Sequence, residues 1–150
     1  MFVPQIAIIL GSRTDEPYFE KCRAILTEFG LDWELEIISA HRNPTKIRDY
    51  ATNVIQRGIQ VVIAGAGGAA ALPGVLASMT TVPIIGVPLP TSELRGVDSL
   101  HAIVQMPPGI PVACMGVGEW GATNAAHLAV QIIALGNNEL SAELQRRRDV

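Results

Sequence analysis

Five short apolar runs organise the chain, each followed by a polar or glycine-rich loop and then by a segment of helical pattern. Ile6–Leu10 opens the series. "GSRTDEP" then leads to a helix over Tyr18–Phe29, with Asp15 placed to N-cap it, Pro17 in its first turn and Gly30 as its stop. Leu35–Ile38 leads through "SAHRNP" to a helix over about Thr45–Arg57, closed by Gly58. Val61–Ala64 leads through "GAGGAAALPG" to a short helix near Val75–Ser78. Pro83–Val87 gives way to "PLPTSELRGVD" and a helix near Ser99–Gln105. Val112–Met115 precedes "GVGEWGATN" and a helix over about Ala122–Leu135. A last polar segment, Asn138–Arg148, predicts a surface or partner-seeking helix.

Strand–helix alternation of this length predicts an α/β fold, a parallel sheet with helices on both faces. Right-handed crossovers leave few arrangements of five such units, and the flavodoxin-like order 2-1-3-4-5 is the natural one. The expectation is a three-layer sandwich with an extra C-terminal helix. No repeat or low-complexity linker divides it, so residues 1–150 are expected to form a single domain. Ligands of such sheets bind beyond the carboxyl ends of the strands. The loops that matter are therefore "GSRTD", "SAHRNP", "GAGGAAALPG" and "PLPTSELRG", and the first three, after strands 1, 2 and 3, are neighbours.

Charge and cysteine content narrow the function. A net charge of −3 and a pI near 5.5 exclude an extended nucleic-acid footprint. The one basic run, Arg146–Arg148, reads as a solvated helix end. Cys22 and Cys114 stand far apart with no Cys-x-x-Cys, which argues for a reducing, cytoplasmic compartment and against structural zinc. "MFVPQIAIILGS" has no basic n-region, so it does not read as a secretory signal. No charge occurs from Gly58 through Ser92, yet Gly and Pro interrupt that stretch repeatedly. It reads as buried parallel strands, and no membrane span is expected.

Candidate chemistry sits in the loops. "GSRTD" offers backbone N–H groups and the hydroxyls of Ser12 and Thr14 to an anion, with Asp15 able to accept from sugar hydroxyls; the alternative is an N-cap alone. Gly65–Ala70 fits Gly-x-Gly-x-x-Ala, but no acidic residue ends the following strand. Its glycines read as places where backbone approaches a ligand or a helix. His41 and Arg42 form the sharpest pair: Arg clamps phosphate, and His is the side-chain type that exchanges a proton near neutral pH. His101 and His127 fall inside predicted helices. Ser-x-x-Lys, Gly-x-Ser-x-Gly, Walker and paired metal-ligand motifs do not occur, so the expected chemistry is proton transfer with phosphate anchoring.

The strings "GSRTD", "SAHRNP", "AGAGGAAALPG", "GVP" and "RGVDSLHAIVQMPPGIPV", in this order and spacing, resemble the N5-carboxyaminoimidazole ribonucleotide mutases. These are the class I phosphoribosylaminoimidazole carboxylase catalytic subunits of purine biosynthesis, and the likeness spans about Ile6 to Leu135. The resemblance implies an isomerisation without metal or cofactor, in which carboxylate moves from the exocyclic nitrogen to ring carbon four through trapped carbon dioxide. It implies His41 as the general acid/base. Its substrate contacts fall on Ser12, Thr14, Asp15, Ser39, Ala40, Arg42, Gly65, Ala66, Gly67, Ala71 and Leu72. It also implies a homo-octamer and an ATP-dependent carboxylase synthetase as functional partner. Two positions depart from the family pattern: Thr14 replaces the second Ser of "GSxSD", and Ala71 replaces the His of "GGAAHLPG". The alternatives are a class II carboxylase using carbon dioxide directly, which shares "SAHR", and a non-catalytic nucleotide-binding relative.

Overall fold

Ile, Val and Leu crowd the strands because a parallel sheet covered on both faces leaves no side of a strand for water. The computed structural model describes residues 3–148. The strands are β1 (Ile6–Leu10), β2 (Trp33–Ile37), β3 (Val61–Gly67), β4 (Ile84–Leu89) and β5 (Ala113–Cys114), all parallel in the order β2-β1-β3-β4-β5. The helices are α1 (Glu20–Glu28), α2 (Pro44–Asn53), α3 (Leu72–Ala77), α4 (Val97–Val104), α5 (Glu119–Ala134) and α6 (Asn138–Arg148). The expected flavodoxin-like order and the extra C-terminal helix are both present.

The period-2 alternation of β1 divides the core. Ile6, Ile8 and Leu10 face one layer with Phe19, Leu26 and the alanine-rich face of α5. Ala7 and Ile9 face the other, with Ile47 of α2, Leu72 and Leu76 of α3 and Ile103 of α4. Small residues on α5 (Ala122, Ala125, Ala126, Ala129) are fully buried, so this helix can lie close against the central strands.

Several boundaries differ from the sequence pattern for physical reasons. The first helical segment begins as a 3-10 turn over Arg13–Phe19, and its cap is Ser12. Asp15 closes the reciprocal half of the capping box by accepting the Ser12 N–H at 3.0 Å. β2 starts two residues earlier than Leu35 because Glu34 and Glu36, which hide the strand in the sequence, bind cations of α2 and its extension. Glu34 accepts from Tyr50 and Arg57, and Lys46 approaches Glu36 at 3.4 Å. β3 continues through Gly65, Ala66 and Gly67, which are strand residues and not loop. β4 extends through Pro88 to Leu89, whereas β5 has only two ladder residues.

α6 is docked more firmly than a purely partner-seeking helix would be. Leu140 is buried, and Arg147 stacks over the Phe29 ring with its guanidinium carbon 4.1 Å from the centroid. Cys22 lies inside the core, where burial pushes its thiol up to about 12. No helix among the described residues is long and apolar enough to cross a membrane.

Candidate active site

The loops leaving β1, β2, β3 and β4 surround a cleft of about 330 Å³ at the carboxyl edge of the sheet. Of the residues expected to bind or react, Ser12, Thr14, Asp15, Ser39, Ala40, His41, Arg42, Ala66, Gly67 and Leu72 all line it. Gly65 and Ala71 do not. A Cβ on Gly65 would lie 2.5 Å from Cζ of Phe19 and 2.9 Å from Cδ2 of Leu10, so this glycine faces the core beneath the cleft. Ala71 is the half-buried N-cap of α3, between Ala70 and Leu72, which both line the cleft.

Local hydrogen bonding orients the polar groups. The Ser12 hydroxyl oxygen accepts from Thr14 Oγ1 at 3.0 Å and from the Thr14 N–H at 3.4 Å. The Ser39 hydroxyl oxygen likewise accepts twice, from the Arg42 N–H at 3.2 Å and from Arg42 Nε at 3.3 Å. A hydroxyl that accepts on its oxygen keeps its own proton to donate. Two serine O–H groups and the terminal nitrogens of Arg42 thus form an array of donors beside one another, suited to an anion. The backbone N–H groups of Ser12, Thr14 and Asp15 are engaged within the turn, so side chains supply most of this capacity.

Asp15 is 3% exposed at the cleft floor. Burial pushes its carboxyl above the ordinary range, against the opposing pull of the Ser12 N–H and of the nearby Arg42 charge. A buried carboxylate so short of donors is a ready acceptor for ligand hydroxyls. His41 is exposed on the same turn as Arg42, a turn closed by the Asn43 N–H donating to the Ser39 carbonyl at 2.8 Å.

Five lining residues are not among the expected contacts: Gly11, Gly68, Ala70, Thr91 and Ser92. Ala70 has φ +43°, a backbone state unusual for an L residue with a side chain, and it follows Gly68 at φ +60°. The signal for Thr91 and Ser92 was present in the hydroxyl pair of "PLPTSELRG". Ser92 donates to Asp98 Oδ2 at 2.5 Å, and this bond leads in holding the Asp98 carboxyl below its ordinary value. No group of three side chains able to hold a metal occurs among the described residues.

A five-stranded parallel sheet with a donor-rich cleft at its β1/β3 switch point defines a flavodoxin-like α/β protein whose cleft chemistry suits an anion. A family profile described as AIR carboxylase matches residues 5–150, and the chain belongs to that family. The N5-carboxyaminoimidazole ribonucleotide mutase of Pyrococcus abyssi is 48% identical over 98% of this chain and 83% of its own length. The protein of the same name from Aquifex aeolicus is 51% identical over 94% of this chain and 83% of its own. Among solved structures, Treponema denticola PurE superposes with a TM-score of 0.86 at 26% identity, covering 97% of this chain and 90% of that one.

Proposed function

We propose that this chain, as one catalytic domain over residues 1–150, is an N5-carboxyaminoimidazole ribonucleotide mutase acting as an isomerase in purine biosynthesis. The observation that carries the reading is the array of Ser12, Ser39 and Arg42 donors, with His41 on the same turn as Arg42. The donors take the 5′-phosphate, Asp15 accepts from the ribose hydroxyls, and the imidazole lies toward Ala66, Gly67 and Leu72. Ala40 and Thr14 complete the wall.

His41 then carries one proton. The N–C bond of the carbamate breaks, carbon dioxide departs and its electron pair stays on the exocyclic nitrogen, which takes the proton. Ring carbon four attacks the trapped carbon dioxide, and His41 removes the proton from that carbon. Atoms balance: carboxylate and proton exchange places, and the histidine returns to its starting state. The functional setting is cytoplasmic, with an ATP-dependent carboxylase synthetase supplying the N5-carboxylated substrate to a homo-octamer.

The test offers the protein two inputs: synthetic N5-carboxyaminoimidazole ribonucleotide, and the decarboxylated ribonucleotide with bicarbonate. The mutase reading expects rapid formation of the 4-carboxy product from the first. Preference for the second supports the direct carboxylase, and inertness toward both overturns the enzyme reading. If His41 alone runs the proton transfer, Ala71→His should change turnover by less than about tenfold, roughly 1.4 kcal/mol in the barrier. Rescue of an inert wild type by Ala71→His would instead mark a binding relative that had lost catalysis.

A further inference from the structure

The cleft has a fourth wall, the "PLPTSELRG" loop, in which the sequence singled out no contact residue. Strand order places the Ser39–Arg42 turn at the β2 end and Thr91 with Ser92 at the β4 end, with the β1 and β3 loops between. Three inter-strand spacings separate the ends, about 14 Å. That length suits a ribonucleotide lying lengthwise with a hydrogen bond at each extremity. A ligand anchored by its phosphate on the Ser12 and Arg42 donors would lay its imidazole across the β1 and β3 loops, with the His41 side chain on one side and Thr91 on the other.

The two hydroxyls at the β4 end are differently committed. Ser92 donates to Asp98 Oδ2 at 2.5 Å and accepts from the Leu94 N–H at 3.2 Å, while the Ser99 N–H donates to Asp98 Oδ1 at 2.9 Å. Ser92 and Asp98 therefore latch the loop to the start of α4, and the Asp98 charge is spent on them. Thr91 is exposed, and among the described residues its hydroxyl makes no hydrogen bond to protein. It also lies against the backbone of β3. A Cβ on Gly67 would fall 1.9 Å from Thr91 Oγ1 and 3.2 Å from Thr91 Cβ, so only glycine at position 67 lets the hydroxyl come this close to β3.

Resting on the mutase reading, we propose that Thr91 is a specificity-determining residue whose hydroxyl donates a hydrogen bond to the migrating carboxylate at the β4 end of the cleft. The Ser92–Asp98 latch anchors the neighbouring residue of the loop, and the bare backbone at Gly67 leaves this donor room beside β3. Thr91 thereby distinguishes carboxylated from decarboxylated ribonucleotide, a distinction the phosphate donors at the opposite end cannot make.

The test is equilibrium binding of two ligands, 4-carboxy-5-aminoimidazole ribonucleotide and 5-aminoimidazole ribonucleotide, to wild type, Thr91→Val and Thr91→Ser. Thr91→Val keeps the side-chain shape and removes only the donor. It should weaken the carboxylated ligand roughly 10- to 100-fold, the worth of a hydrogen bond to a charged group, and the decarboxylated one less than about threefold. Thr91→Ser should restore discrimination. Equal losses on both ligands, or a Thr91→Ser protein as impaired as Thr91→Val, overturn the assignment. Wild type that binds neither ribonucleotide overturns the mutase reading as well, whereas a Thr91→Val protein that still discriminates overturns this inference alone.

Discussion

His41 and Arg42 are adjacent in one exposed turn, yet the proposed mechanism gives them separable duties: one moves a proton, the other holds charge. Replacement should separate them. His41→Asn should leave ribonucleotide affinity within a few fold and lower turnover by roughly 10²–10⁴, the usual worth of a positioned proton carrier. Turnover measured at saturating substrate checks this, and a fully active variant removes His41 from the mechanism. Arg42→Ala should instead weaken the phosphorylated ligand roughly 10- to 100-fold while sparing the unphosphorylated riboside. Titration of both by calorimetry reads the difference, and equal losses would place Arg42 away from the phosphate. The polar residues of three loops were legible in the sequence because Ser, Asp, His and Arg after an apolar run have few structural reasons to be there. What was not legible was hydrogen-bond direction. That the Ser12 and Ser39 oxygens accept, leaving their protons to donate, depends on where Thr14 and Arg42 lie in space. Thr91 escaped for a similar reason, since nothing in "PLPTSELRG" tells which hydroxyl the loop commits internally.

Elements were legible wherever burial was uniform. β1 reads as a continuous apolar run because all five of its residues are buried, and its observed bounds coincide with that run. β2 lies at the sheet edge, half-buried throughout, so charged residues could occupy it once α2 supplied partners for them. The apolar pattern ends β3 at Ala64 because Gly65 and Gly67 look like loop, although each serves a close approach inside a strand. Gly65 connects β3 to the 3-10 turn through Phe19, and thereby the packing layer to the loop that carries Ser12 and Asp15. Gly65→Ala should therefore act on stability, costing about 1–3 kcal/mol by overpacking against Phe19 and Leu10. Urea unfolding monitored by circular dichroism checks the magnitude. An unchanged midpoint combined with weakened ligand binding would return Gly65 to the list of substrate contacts.

At the scale of the whole molecule, the surface carries apolar residues that the fold does not cover. Leu94 and Val97 flank the β4–α4 loop, and Val117 and Trp120 flank the neighbouring β5–α5 turn; Trp120 is 85% exposed. The two segments touch, for Val117 packs so close to Gly96 that a Cβ there would lie 2.6 Å from its Cγ1. None of this was visible in the apolar pattern, because the sequence places Trp120 at a helix start without saying which way that end faces. The proposed octamer gives such residues a partner, and aromatic anchors of this kind dominate subunit contacts. The same loop carries Thr91 and Ser92, so assembly would steady the β4 wall of the cleft. Light scattering should accordingly give the protein a mass about eight times the 16.0 kDa of one chain. Trp120→Asp, placing a charge where an apolar contact is needed, should shift that mass to smaller species. It should also lower kcat/KM about tenfold or more while retaining helical circular dichroism, because the chain's own core does not use this side chain. A variant that keeps both full mass and full activity would move the assembly surface elsewhere, and a wild type that is monomeric and fully active would show that the cleft is complete within one chain.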